Sequence, residues 1–161
     1  MDVVSNAHER ELKLKLRLAQ IEKNEFSQND FIGFVRTVWP DFIAGRHHKI
    51  IAEKLERVAR GELKRLIINM APRHTKSEFA SYLFPAWMMG RNPKMKIIQA
   101  THTTELAVNF GRKTKNLIDS DEYKAIFPEV KLAADSKASG RWDTSKGGMF
   151  YAVGVGSNLA G

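Results

Sequence analysis

Apolar residues recur at helical spacing along most of the chain, and this pattern predicts several helices. Residues 8–26 are rich in Leu, Lys, Arg and Glu and lack Gly and Pro, so their composition favours a helix although the leucines alternate. A second helix is predicted to start after Ser27 or Asn29, either of which can cap it, and to end at Trp39-Pro40. Further helices are predicted over residues 47–60, 77–89, 105–118 and 120–128.

Three short apolar runs predict strands, at residues 65–70, 96–101 and 149–155. The first two runs flank a predicted helix, so they are expected to form a βαβ unit with parallel strands. Pro85 lies inside that helix and is expected to kink it or to end its regular part. Residues 130–148 are dominated by Ser, Lys, Asp and Gly, which predicts a loop. The pattern as a whole therefore predicts an α/β fold with a mainly parallel sheet flanked by helices.

Composition adds only broad limits. The 161 residues are 43% hydrophobic and 27% charged, as in an ordinary soluble domain, and no apolar run approaches the ~20 residues of a membrane span. There is no cysteine, so disulfides and thiolate metal sites are excluded, and an intracellular location is expected. The net charge of +8 favours an anionic partner, although the basic residues are spread along the chain rather than gathered into a stripe.

The segment with the most chemical content is residues 65–81, where a predicted strand leads through a short loop into Lys76-Ser77 and a helix. This is the layout of a phosphate-binding P-loop, in which backbone N–H groups and a helix N-terminus hold phosphates. The lysine then reaches the outer phosphates and the serine hydroxyl ligates Mg²⁺. The spacing alone leaves a plainer alternative open, namely a buried strand, a turn at Pro72 and a solvated helix start.

The loop departs from the pattern G-x-x-x-x-G-K-[ST], which requires glycine where this chain has Met70 and Thr75. A β-branched residue held at positive φ costs on the order of 1–3 kcal/mol. We therefore expect one of two outcomes at Thr75. Either the loop keeps its shape under strain, or it relaxes toward helical angles and turns some N–H groups away from the phosphate.

Residues 69–78, NMAPRHTKSE, resemble the P-loop of the large terminase subunits of tailed bacteriophages, the ATP-driven motors that package DNA. Phe110-Gly111-Arg112, Arg141-Trp142, Gly147-Gly148 and a final Gly-rich run follow in the order seen in that family. The resemblance extends from about Trp39 to Gly161. It implies an incomplete P-loop NTPase domain of the RecA-like (ASCE) class over residues 39–161, preceded by an N-terminal helical arm over residues 1–38.

The resemblance also implies a function, ATP-driven packaging of viral double-stranded DNA into procapsids in the host cytoplasm. It implies ATP and Mg²⁺ as cofactors, and a portal protein and a small terminase subunit as partners. A homo-oligomeric ring of the full-length protein, away from any membrane, is implied as well. Lys76 would bind the β and γ phosphates, Ser77 would ligate Mg²⁺, and Arg73 would stabilise charge on the γ-phosphate. The implied loop comprises Ala71, Pro72, Arg73, His74, Thr75, Lys76 and Ser77.

The segment before the third predicted helix resembles the terminase region that approaches the adenine ring. Phe42, His47 or His48 could therefore stack on a base or hydrogen-bond to it. The residues themselves favour a plainer interpretation, in which both histidines are half-exposed at the start of a helix. Taken alone, Trp142 is interpreted as a packing residue and Arg141 as a surface charge.

A P-loop ATPase also needs carboxylates at the end of another strand, to hold Mg²⁺ and to activate water. No run of about four apolar residues followed by Asp-Glu or Asp-Asp occurs in this sequence. The resemblance places that motif just after the Gly-rich run, and a nuclease domain beyond it, so the chain is expected to be an N-terminal part that is inactive alone. Two other classes stay open, another P-loop motor such as a RecA-like helicase and a non-catalytic nucleotide- or DNA-binding fragment.

Overall fold

The computed structural model describes residues 3–136 and 138–156, with side chains from residue 7 onward. Its elements follow in chain order. The helices are α1 (Val3–Asn29), α2 (Phe31–Val38), α3 (Arg46–Ala59), α4 (Lys76–Glu78), α5 (Phe84–Arg91), α6 (Thr104–Asp119) and α7 (Asp121–Ile126), with a π-helical turn (Phe79–Leu83) joining α4 to α5. The strands are β1 (Lys96–Thr101), β2 (Arg141–Asp143) and β3 (Met149–Gly154). The final Gly-rich run lies outside the described residues from residue 157 onward.

The sheet is small and mixed, with the strand order β1-β3-β2. β1 and β3 are parallel, with Lys96 opposite Met149, and both strands were predicted from their apolar runs. β2 pairs antiparallel with β3 and lies inside the segment predicted as a loop, so that prediction was wrong for residues 141–143. The reason is a tertiary contact. Trp142 is fully buried and stacks on Phe150 with ring centroids 5.0 Å apart, and its indole N–H donates to a carbonyl of α6.

The strand predicted over residues 65–70 does not form, so the predicted βαβ unit is wrong in its first strand. Within the described part of the chain, residues 64–74 make no backbone–backbone hydrogen bond. Burial nevertheless alternates as in a strand, with Leu66, Ile68 and Met70 half-buried and Ile67 84% exposed. A strand needs a paired neighbour as well as an alternating face, and the three-stranded sheet supplies none here.

The helical segment that follows the loop runs from Lys76 to Arg91 without a break. Its π-helical turn closes where the Phe84 N–H bonds to the Phe79 carbonyl, just before Pro85 in the first turn of α5. Proline has no N–H to donate to the preceding turn, so the regular ladder is interrupted at this point. Pro85 therefore disturbs the helix as predicted, but it does not end it.

The core is aromatic and is centred on α2. Phe31 and Phe34 are fully buried, and the ring of Phe31 lies 5.4 Å from that of Phe79 in the π-helical turn. α2 belongs to the predicted arm at residues 1–38, yet it lies in the middle of this core. Residues 7–23 of α1 are exposed. The last turns of α1 contact the rest of the described chain, as where Ser27 O accepts the Trp87 indole N–H. In the described part of the chain, no helix is both long and apolar enough to cross a membrane.

Candidate phosphate-binding loop

The loop between residues 70 and 76 has an unusual backbone. Arg73 and Thr75 have φ values of 65° and 60°, and they are the two non-glycine residues with positive φ in the described chain. His74 between them has no positive φ, so the sign of φ alternates from Arg73 to Thr75. Alternation of this kind turns successive N–H groups toward one concave side, where an anion can be bound. Of the two outcomes expected at Thr75, the loop shows the first, in which it keeps its shape under strain.

The N–H groups of this segment are open. Within the described residues, the backbone N–H groups of residues 73–78 donate to no protein acceptor. The first helical bond runs from the Phe79 N–H to the Thr75 carbonyl, at 2.9 Å. The first N–H groups of a helix have no acceptor within the helix, and here the N–H groups of the preceding loop have none either. Together they can donate to phosphate oxygens.

Lys76 lies across the loop. Its Nζ donates to the carbonyl oxygen of Met70 at 3.0 Å, and its side chain is half-buried. No carboxylate of the described chain lies within ion-pair distance of this ammonium group. A charged donor that is held only by a neutral carbonyl remains available to an anion.

An open cavity of about 260 Å³ lies over the loop and is lined by Arg73, Thr75, Lys76, Ser77 and Glu78. Ser77 is exposed and its hydroxyl has no protein partner among the described residues, whereas Glu78 pairs with Lys113 at 3.0 Å. The open N–H groups and Lys76 fit phosphate. For Mg²⁺ the described residues offer the Ser77 hydroxyl, and they contain no cluster of three or more acidic, His or Cys ligands. Such a site suits Mg²⁺ that takes its other ligands from phosphate and water.

The side chain of Thr75 connects the loop to α3. His48 Nε2 lies 2.6 Å from Thr75 Oγ1, and the Gly45 N–H donates to His48 Nδ1 at 2.9 Å. Because Nδ1 accepts a hydrogen bond, the neutral ring carries its proton on Nε2 and donates to the threonine hydroxyl. That hydroxyl donates in turn to the carbonyl of His74, at 2.6 Å. These three bonds therefore have one consistent direction, and His47 Nε2 lies 3.1 Å from the same His48 Nε2 as a second, more distant partner.

Burial disfavours the charged form of the His48 ring. The ring packs against Phe42 and Phe79, with centroids 4.8 and 5.1 Å away. Burial, and then the neighbouring His47 and His74, lower the pKa of His48 below its ordinary value. Protonation would place a hydrogen on Nδ1, where it would face the Gly45 N–H.

The structure brings two of the three predicted base-binding residues, His48 and His47, to the loop, and it places Phe42 in the core. The centroid of the His47 ring lies 3.8 Å from that of His48 and 6.0 Å from that of His74. His48 is buried against Thr75 rather than half-exposed, a contact that no local sequence pattern indicates across 27 residues. Phe42 is 8% exposed and packs in the core, so its ring is not open to a base. His47 is half-buried beside a second cavity of about 250 Å³, between α3 and residues 66–70.

The remaining predicted residues lie as follows. Ala71, Pro72, Arg73 and His74 are exposed along the loop, and the Pro72 carbonyl lies 2.9 Å from His74 Nδ1. Trp142 packs in the core and Arg141 is exposed, as predicted.

No family model, curated protein or solved structure matches this chain.

Proposed function

We propose that residues 70–77 bind the triphosphate of ATP together with Mg²⁺, and that the chain is the ATPase part of a DNA-packaging motor like a large terminase subunit. One observation carries the nucleotide proposal. The N–H groups of residues 73–78 have no protein acceptor in the described chain, and they lie beside a half-buried Lys76 that has no carboxylate partner. Several N–H donors that lie close together and have no acceptor within the protein are suited to bind a phosphate group.

Binding follows from the loop geometry. Phosphate oxygens would take the open N–H groups, and Lys76 would exchange the Met70 carbonyl for the β and γ phosphates, since a charge-assisted bond is about twice as strong as a neutral one. Ser77 would give Mg²⁺ a hydroxyl ligand, and the metal would neutralise phosphate charge. Arg73 is exposed and lines the same cavity, so it is the candidate to stabilise charge on the γ-phosphate.

The packaging role rests on the resemblance of residues 39–161 to large terminase subunits. The net charge of +8 suits a chain that acts on double-stranded DNA. With this role, the partners would be viral DNA, a portal protein and a small terminase subunit, the full-length protein would form a ring, and the location would be the host cytoplasm.

A second candidate is a nucleotide-binding fragment without catalysis. It is favoured because Glu78 is the one carboxylate lining the loop cavity in the described chain, and it is already paired with Lys113. The two candidates share the binding loop and differ in turnover.

The binding proposal is tested by isothermal titration with ATP–Mg²⁺. Lys76→Ala removes the charged phosphate donor, which is worth roughly 1.5–3 kcal/mol, so affinity should fall about tenfold or more. Lys64→Ala is the matched control, because Lys64 is an exposed lysine outside the loop. Equal affinities of the two variants would contradict the phosphate site.

A further inference from the structure

We infer that His48 is a positioning residue for the nucleotide loop, since it holds Thr75 in the left-handed conformation that directs the loop N–H groups toward phosphate. This inference rests on the proposed function, because the part that is positioned is the proposed phosphate site. It assigns to His48 a role in loop shape in place of contact with a base.

Thr75 has a strained backbone. At φ 60° and ψ 8° this residue is fully left-handed. Glycine adopts that conformation without strain, whereas a β-branched side chain does so only when its surroundings fix it. Something outside the Thr75 backbone must therefore stabilise this conformation.

Two hydrogen bonds anchor the hydroxyl of Thr75. Thr75 Oγ1 accepts from His48 Nε2 and donates to the His74 carbonyl, so the hydroxyl is held from both sides. The bond to His74 is local to the loop. The bond to His48 joins the loop to α3. Among the described residues, no other hydrogen bond joins loop residues 71–75 to an element outside the helical segment that follows the loop.

The tautomer of His48 is set by its contact with Gly45. The Gly45 N–H occupies Nδ1, which leaves Nε2 as the donor toward the loop. The titratable groups that face the ring are His47 and His74, and the remaining neighbours are the apolar rings of Phe42 and Phe79. His47 Nε2 lies 3.1 Å from the same His48 Nε2, so the two groups compete for one N–H, and Thr75 Oγ1 is the nearer partner at 2.6 Å. The His48–Thr75 contact thus supports a left-handed conformation that glycine adopts without any partner.

The hydrogen bond is tested without nucleotide by nitrogen–proton NMR of the histidine side chains in the wild-type chain. The expected signature at neutral pH is a His48 ring protonated on Nε2 only, with a slowly exchanging proton whose shift changes in Thr75→Val. A His48 ring protonated on Nδ1, or on both nitrogens, would overturn the inference.

The positioning role is tested by a double-mutant cycle on ATP–Mg²⁺ affinity. His48→Leu keeps most of the ring volume and removes the donor, so affinity should fall about tenfold in the presence of Thr75. In the Thr75→Gly background the same change should cost less than about twofold, because glycine needs no anchor. An equal loss in both backgrounds would show that His48 only packs in the core, and it would overturn the inference.

Two further variants test whether the loss of affinity in His48→Leu comes from the loss of its hydrogen bond. His48→Gln retains an amide N–H that reaches toward Thr75, so it should recover most of the affinity that His48→Leu loses. His8→Leu replaces an exposed histidine of α1 and should bind as wild type does. A His48→Gln protein as weak as His48→Leu would count against a hydrogen-bonding role.

Failure of the inference and failure of the proposed function give different results. If wild type binds ATP–Mg²⁺ and Lys76→Ala abolishes binding, but the cycle shows no coupling, only the role of His48 is overturned. If wild type shows the NMR signature and yet binds no nucleotide, the phosphate site and the positioning role fall together.

Discussion

At the scale of single residues, Thr75 shows what the sequence predicts and what it does not. The P-loop pattern predicts strain at this position, because glycine is the residue expected there. The observed φ of 60° agrees with a loop that keeps its shape. The compensating contact comes from His48, which is 27 residues earlier in the chain. Neither residue type indicates the other, so only the folded arrangement reveals the pair.

Substitutions at Thr75 should separate strain from hydrogen bonding. Thr75→Gly relieves about 1–2 kcal/mol of left-handed strain, but it loses two hydrogen bonds worth about 0.5–1.5 kcal/mol each and adds unfolded-state entropy. Thr75→Val loses the same bonds and keeps the strain. In urea unfolding we therefore expect both variants to be less stable than wild type, with Thr75→Val lower than Thr75→Gly by about 1 kcal/mol.

Thr75→Ser is the control for this pair, because it keeps the hydroxyl and should remain near wild type. A Thr75→Val protein as stable as wild type would mean that the hydroxyl contacts contribute nothing to folding.

At the scale of elements, the sequence predicts helices better than strands. The helix over residues 105–118 was confirmed as α6 (Thr104–Asp119), because helical bonds are local and apolar spacing reports them directly. A strand forms only where a second strand pairs with it, and the local sequence does not show where that second strand lies. β2 was missed although Trp142 ties it to the core, and residues 65–70 were predicted as a strand although no neighbour pairs with them.

The unpaired segment should exchange its amide hydrogens rapidly. Residues 64–71 make no backbone–backbone hydrogen bond in the described chain, while β3 is paired on both sides. Amides without a protein acceptor are exposed to exchange without any unfolding step. Hydrogen–deuterium exchange followed by mass spectrometry should therefore label a peptide over residues 64–71 within the shortest times and leave residues 149–154 protected. Comparable protection of the two peptides would show that the segment is hydrogen-bonded in solution.

At the scale of the whole molecule, the position of the site follows from how three helices share the core. Phe79 lies in the helical segment that the loop leads into, and it packs against Phe31 of α2 and His48 of α3. This packing brings the start of α3 beside the loop. The sequence predicts the order of these elements and the α/β class. It does not predict that α2, α3 and the helical segment after the loop pack against one another. The same limit explains why α2 was assigned to an arm although it lies in the core.

The last prediction concerns turnover by the 161-residue chain. Phosphoryl transfer to water needs a carboxylate to hold Mg²⁺ and a group to orient the attacking water. In the described chain the loop cavity offers Glu78 alone, and Glu78 Oε1 is bonded to Lys113 Nζ at 3.0 Å. We expect the purified chain to bind ATP–Mg²⁺ and to release phosphate no faster than Lys76→Ala does in a steady-state assay.

Phosphate release that is faster than in Lys76→Ala would contradict this prediction and place a catalytic carboxylate within the chain. Glu78→Gln then identifies it, because this change keeps the side-chain volume and removes the charge. Turnover lost in Glu78→Gln with affinity retained would assign the role to Glu78. Turnover that persists would direct the search to acidic residues outside the loop cavity.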